Sequence, residues 1–237
     1  MIDYSELIAP ERRSVPTPRN MVEDGKCAFG TFDKEFETMD LLGIDNPTSA
    51  PDFLKRLKLT VWEATEVHLE EGVLLAACCD MGIFGQILNI FYDKRKKKVY
   101  SWTAKVPSKD AVVAENLING SETRADAKKL SIHYTNDFQD GRCRLKGWQE
   151  GEPGRIEYDF SLTRLSKPCV VSIPFADPAV RHRPLYSQKD FFKCSGWLKF
   201  NGETFHTTET STAIVDDHKG YYPRKAHYDW VTTMGIN

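Results

Sequence analysis

Asp216, Asp217, His218, Tyr221, Tyr222, Arg224, His227, Asp229 and Trp230 stand within fifteen positions near the end of the chain. Such a mixture can transfer protons, hold an anion or stack a flat ligand. If the strand that begins at Glu203 runs on through Val215, strict alternation puts Asp216 on the face of Ile214 and Asp217 on the face of Val215. One of the two then points inward, where burial raises a carboxyl pKa unless a partner offsets it. Asp216 and Asp217 are therefore the candidate catalytic acids. The competing reading has the inward aspartate capping a turn at Lys219-Gly220 or pairing with Arg224.

Tyr221, Tyr222, Arg224, His227 and Trp230 are the candidate ligand-binding residues. Tyr221-Tyr222-Pro223-Arg224 suits a tight turn that offers a guanidinium to a carboxylate or phosphate, or else an arginine bracing a rim. Trp230 sits on an alternating Tyr228–Met234 segment, as core or as a pocket wall. His218 and His227 are nine apart, which matches no common zinc spacing, so no metal is expected. No nucleophile elbow, P-loop or dinucleotide fingerprint occurs, and no cofactor is expected. Six scattered cysteines without CxxC spacing read as reduced thiols, and Cys78-Cys79 as inert packing in an apolar strand.

The elements that must position these residues are strands. Arg155–Thr163 alternates without a fault, placing Ile156, Tyr158, Phe160 and Leu162 on one face. Leu130–Thr135 and Val99–Ala104 share the period, while Gly72–Cys79 and Gln86–Tyr92 are more continuously apolar. Asp140-Gly141 and Asn201-Gly202 lie between apolar runs and tolerate the positive φ angles of hairpin turns. Ser108 to Leu117 reads as a short helix or another strand. The fold class predicted is all-β, an antiparallel meander forming a barrel or a curled two-sheet sandwich, because open edges must be closed or covered. Residues 1–52, rich in proline, form an irregular arm docked on the core through Phe29, Phe32, Phe36, Met39 and Leu41. The β domain spans 53–237, with a division into two sub-barrels near 165–185 as an option.

Charge narrows the partners. Lys and Arg total 32 against 34 Asp and Glu, which predicts no strong attraction to nucleic acid. The basic run Lys94–Lys98 fits a solvated hairpin tip. No apolar stretch approaches the roughly 20 residues of a membrane span, and the opening residues carry no secretory pattern. A soluble, cytoplasmic protein is the expectation. Thirteen Phe, nine Tyr and five Trp either fill the core or line a cavity for a small apolar ligand.

Ala213–Arg224, Tyr228-Asp-Trp230, Met21–Phe32, Met39–Gly43 and Leu57–Ala64 together resemble the domain of unknown function 2804 family, across essentially the whole chain. That family is distantly similar to the lipocalin-like superfamily of carotenoid hydratases and tocopherol cyclases. The resemblance implies a lipocalin-like barrel, or a pair of them. Were function shared, it would also imply cofactor-independent acid chemistry on an apolar molecule, hydration or cyclisation, with an aspartate of Asp216-Asp217 as donor. Family members normally continue for about a hundred residues more, so the resemblance implies a chain short at its C-terminal end, with the second sub-barrel incomplete. Two functions remain open. One is binding of an isoprenoid- or lipid-like molecule, with or without catalysis. The other is a non-catalytic structural or interaction module, forming a homo-oligomer through an exposed sheet edge.

Overall fold

A computed structural model describes residues 14–175 and 183–223. Short strands β1 (Val22–Glu23), β2 (Lys26–Cys27) and β3 (Gly30–Phe32) belong to the N-terminal arm. A four-stranded meander follows, β4 (Leu59–His68), β5 (Gly72–Asp80), β6 (Phe84–Asp93) and β7 (Lys98–Pro107). Next come β8 (Ala111–Val112), β9 (Ser121–Ala127), β10 (Leu130–Asp137), β11 (Arg142–Gly151) and β12 (Gly154–Arg164). The described chain ends with β13 (Val170–Pro174), β14 (Pro184–Phe200), β15 (Glu203–His206) and β16 (Thr212–Tyr221).

Fourteen of these strands form one sheet in the order β7-β6-β5-β4-β16-β14-β12-β11-β10-β9-β8, with β13 and β15 also on β14 and β3 on β13. All the strand-to-strand ladders are antiparallel, and the sheet almost closes into a barrel, as its alternating sequence requires. The strand β16 joins the two meanders by pairing with β14 on one side and β4 on the other. Asn201-Gly202 acts as expected, with φ 51° and 78°, whereas at Asp140-Gly141 only Gly141 takes a positive φ, 67°, because Phe138–Asp140 forms a 3-10 turn that widens the hairpin loop. Ser108 to Leu117 is neither a helix nor a long strand but a 3-10 turn at Ser108–Asp110 leading into β8.

The interior faces of the two meanders meet across the barrel. Ile156, Tyr158, Phe160 and Leu162 are all buried against Val67, Leu74, Ile87 and Phe91. Four polar crossbars span this apolar core. Asn89 donates to Gln149 Oε1 at 2.7 Å, and Tyr158 Oη donates to Asn89 Oδ1 at 2.9 Å. Tyr134 Oη donates to the Ala76 carbonyl at 2.7 Å, and Asn136 Nδ2 to Glu63 Oε2 at 3.2 Å. At the far end Phe200 receives Tyr100 and Trp102 edge-on, at centroid separations of 4.7 and 5.2 Å. Each such pair contributes about 0.5–1.5 kcal/mol beyond its buried area.

The arm is docked. Met21, Phe32, Phe36, Met39, Leu41 and Ile44 bury against Leu59, Val170, Tyr186 and Tyr221 as a second apolar cluster. One ion network ties it down: Arg164 bonds both Glu35 of the arm and Asp190 of β14, and Gln188 Nε2 donates to Glu35 at 3.0 Å and Asp190 at 2.7 Å.

The strand β14 changes partners along its 17 residues: Leu185–Lys193 pairs with β16 and Phe192–Phe200 with β12. Within the second stretch Gly196 adopts φ 145°, and a Cβ there would lie 2.0 Å from the Asp159 carbonyl oxygen. Gly196→Ala should therefore destabilise the protein by roughly 2–4 kcal/mol through combined backbone strain and overpacking. Urea denaturation at an unchanged m-value is the check.

Candidate functional site

Alternation along β16 sends Ala213, Val215, Asp217, Lys219 and Tyr221 to the interior and Ile214, Asp216 and His218 to the exterior. The two adjacent aspartates thus part company. Asp217 is fully buried and ion-paired through both carboxylate oxygens with Lys219, itself 2% exposed. Opposite Asp217 in register on β4 stands Glu63, also fully buried. Its Oε2 accepts from Asn136, while Oε1 has no hydrogen-bond partner among the described residues. Two interior carboxylates thus lie in the field of one ammonium, which is bonded to Asp217.

Burial, and then the Asp217 charge, push the Glu63 carboxyl up to about 7. Asp217 is also raised by burial, with Lys219 pulling the other way. Like charges held together cannot both ionise cheaply, so the pair retains a proton near neutrality.

Lys219 forms part of the lining of a cavity of about 410 Å³ at the barrel mouth. Its walls are apolar where Met39, Leu41 and Leu42 of the arm, Leu59 and Val61 of β4, and Ala111 to Ala114 of β8 and beyond meet, and charged where Asp40, Arg56, Asp80, Lys109 and Glu115 join Lys219. Gly85 lets this wall close in, since a Cβ there would meet the Ala111 Cβ at 2.3 Å. On the rim Arg56 Nη2 donates to Asp80 Oδ2 at 2.6 Å and Ser108 Oγ to Asp80 Oδ1 at 2.8 Å. The arm side is latched: Glu115 Oε1 accepts from the amides of Met39 at 2.6 Å and Asp40 at 3.1 Å, and Tyr221 Oη donates to the Leu41 carbonyl at 2.8 Å.

The exterior face carries a different cluster. Asp216 Oδ1 lies 2.5 Å from Lys189 Nζ and 3.1 Å from His218 Nε2, and Ser187 Oγ is 3.0 Å from the same nitrogen. Trp62 stacks on His218 at 4.9 Å and on Tyr222 at 5.3 Å. Burial works to raise the Asp216 carboxyl, but the bonds and charges of His218 and Lys189 outweigh it and hold it below the usual range. Burial lowers the His218 pKa, so its ring is neutral at pH 7.

Four of the seven expected site residues can now be placed. Asp217 stands behind Lys219 of the cavity, and Asp216 stands outside with Tyr222. Tyr221 is buried as the latch on the arm, away from solvent. Arg224, His227 and Trp230 lie outside the described residues. The turn expected at Lys219-Gly220 is corrected by the structure: β16 continues through both, paired to Tyr186 and Leu185. Gly220 serves close approach instead, because a Cβ would lie 2.5 Å from the Pro184 carbonyl oxygen. Sequence reasoning missed Glu63 and Lys219 as a pair. The signal was available, since Val61, Glu63, Thr65 and Val67 share one parity on β4, and an acid at an apolar parity marks a buried charge. Among the described residues no helix is long and apolar enough to cross a membrane, and no group of three or more His, Cys, Asp or Glu is arranged to hold a metal.

A family model described as a domain of unknown function, DUF2804, matches residues 12–237. The chain belongs to that family. No curated protein matches it. Among solved structures it is similar to kievitone hydratase from Nectria haematococca, with 10% sequence identity, a TM-score of 0.45 and coverage of 68% of this chain and 47% of the hydratase chain. The chain thus spans about half the length of that protein.

The raised Glu63 carboxyl fixes a direction for stability against pH. The folded state holds its proton up to about 7, whereas the unfolded chain releases it near the ordinary 4.5. Between those values the native state binds more protons, so this group's contribution falls as pH rises, by on the order of 3 kcal/mol. Asp190, raised to about 6 by burial despite Arg164, acts in the same direction from 3.8 upward. Glu63→Gln should remove most of the Glu63 part, leaving the variant relatively more stable at pH 8 than at pH 5. Urea midpoints of both proteins at the two pH values are the measurement.

Proposed function

We propose that this family member binds a small, largely apolar molecule in the cavity at the barrel mouth, with the polar end of the ligand on Lys219. One observation carries the reading: a buried ammonium lies in the lining of a cavity of about 410 Å³ with one aliphatic wall and a charged rim, a volume within the range of small-molecule sites. Of the charged groups in the lining, Asp40, Arg56, Lys109 and Glu115 are exposed and the buried Asp80 is ion-paired with Arg56, which leaves Lys219 as the buried cation that can orient a ligand by one directed contact while aliphatic wall residues give affinity by burial. The latch of Glu115 and Tyr221 supports the same reading, since it holds the arm as a fixed wall.

Acid chemistry on a bound alkene or carbonyl is the catalytic extension of this site. Its proton would come from the Glu63–Asp217 pair, the carboxyl groups with raised proton affinity, and would reach the ligand through Lys219. Asp216 is the weaker candidate of the two aspartates, because its ion pairs keep it deprotonated.

Native mass spectrometry of the purified protein should recover a lipophilic small molecule, and Nile red should bind saturably. Val113→Trp, which fills the cavity from its wall, should weaken Nile red binding at least about tenfold with little change in thermal midpoint, since one buried indole displaces the volume the ligand needs. Unchanged dye affinity in a folded Val113→Trp protein would sink the proposal.

A further inference from the structure

Building on the cavity reading above, we propose that the ligand is a monocarboxylate with an apolar body, and that the protein takes up one proton as it binds. In the free protein the Lys219 ammonium is occupied by Asp217, with Glu63 beside them. Above about pH 7, where Glu63 has lost its proton, a ligand carboxylate brought to Lys219 would add a third negative group beside that one buried ammonium, a charge imbalance a buried site does not sustain. One proton from solvent settles it. The Glu63–Asp217 pair takes that proton, and the ammonium turns from Asp217 to the incoming carboxylate. No bond to carbon forms or breaks, and charge balances with one anion and one proton entering together.

The surroundings leave that pair as the proton's place. From β14, Tyr186, Gln188 and Asp190 face it, but the Asp190 carboxylate is held by Arg164 of β12 and Gln188, and burial keeps the Tyr186 hydroxyl protonated. Glu35 of the arm is held by the same arginine. From β10 and β11 come Tyr134, Asn136 and Cys143, and from β5 Cys78, whose ionisable groups burial holds in the neutral form. Asp80, at the end of β5, is held by Arg56 and Ser108. Asp190 Oδ1 likewise has no hydrogen bond among the described residues but lies 3.2 Å from the Arg164 guanidinium, whereas Glu63 Oε1 has neither a hydrogen bond nor an ion pair there, and a proton converts it into a donor.

Decanoate and decanol, matched in chain and different in head group, test this in the whole chain. Titration calorimetry of decanoate near pH 8.5, where the free pair has lost that proton, in buffers of different ionisation enthalpy, should report uptake of close to one proton, and decanol none. Decanoate affinity should fall about tenfold per pH unit above about 7, the proton-linkage slope for one site, while decanol affinity stays level. Glu63→Gln, uncharged throughout, should bind decanoate at pH 8 as tightly as the unaltered protein does at pH 6, with no proton uptake. Lys219→Met should lower the decanoate-to-decanol affinity ratio at least about tenfold, and if it does not fold, the wild-type calorimetry and Glu63→Gln decide alone. Decanol binding without decanoate binding, or decanoate binding without proton uptake, overturns the carboxylate proposal and leaves the cavity reading standing. Failure of both probes and of Nile red removes the cavity reading itself.

Discussion

Two carboxylates around one ammonium, buried where the two meanders meet, constrain the rest of this molecule. A buried charge is tolerated only when it is paired and hydrogen-bonded, because the effective desolvation penalty is several kcal/mol per ion. Glu63 and Asp217 are opposed in register across β4 and β16, so a slip of one residue in that pairing would send them to opposite faces. Register at the one junction between the meanders is thereby tied to charge neutrality. The crossbar from Asn136 carries the same requirement to β10 on the far side of the barrel.

The polar groups of the interior are not spread evenly. Phe91, Trp102, Phe200 and Phe205 pack one end edge to face. The other end collects Glu35, Glu63, Arg164, Gln188, Asp190, Asp217 and Lys219 beneath the arm. The arm closes over them through Tyr221, Glu115 and Arg164, three contacts that each satisfy a polar group the arm or barrel would otherwise leave bare. Stability comes from the apolar end, while the arm end carries the charge that a plain core would avoid.

The strands were legible wherever one face is apolar and the other polar. Arg155–Thr163 fell on β12, and the Asp140-Gly141 and Asn201-Gly202 turns were readable because positive φ selects few residues. Parity also separated Asp216 from Asp217 correctly. The signal failed where a residue answers to a distant partner. Gly220 looks like a turn from its neighbours, yet its role is set by the Pro184 carbonyl, 36 positions away in the chain. Glu63 sits in a run whose acid reads as surface until the strand's inward parity is fixed. The density of chemistry near the C-terminus was real as sequence, but the strand divides what is described of it between two faces, and no linear proximity reveals that.

That division decides which face can hold chemistry needing a proton near neutral pH. On the exterior, Asp216 meets Lys189 and a buried His218, and those partners hold it ionised. Its proton is gone before any ligand arrives. On the interior, burial raises both acids and the Asp217 charge raises Glu63 further, so the Glu63 proton stays up to about pH 7. Two residues adjacent in sequence and identical in type are thus given opposite shifts, because burial prevails over Lys219 at Asp217 while the partners of Asp216 prevail over its burial. The inner one stands behind the ammonium that lines the cavity. A proton held there is within the protein's reach and outside the solvent's, the arrangement needed for a proton to move with a ligand instead of with pH alone.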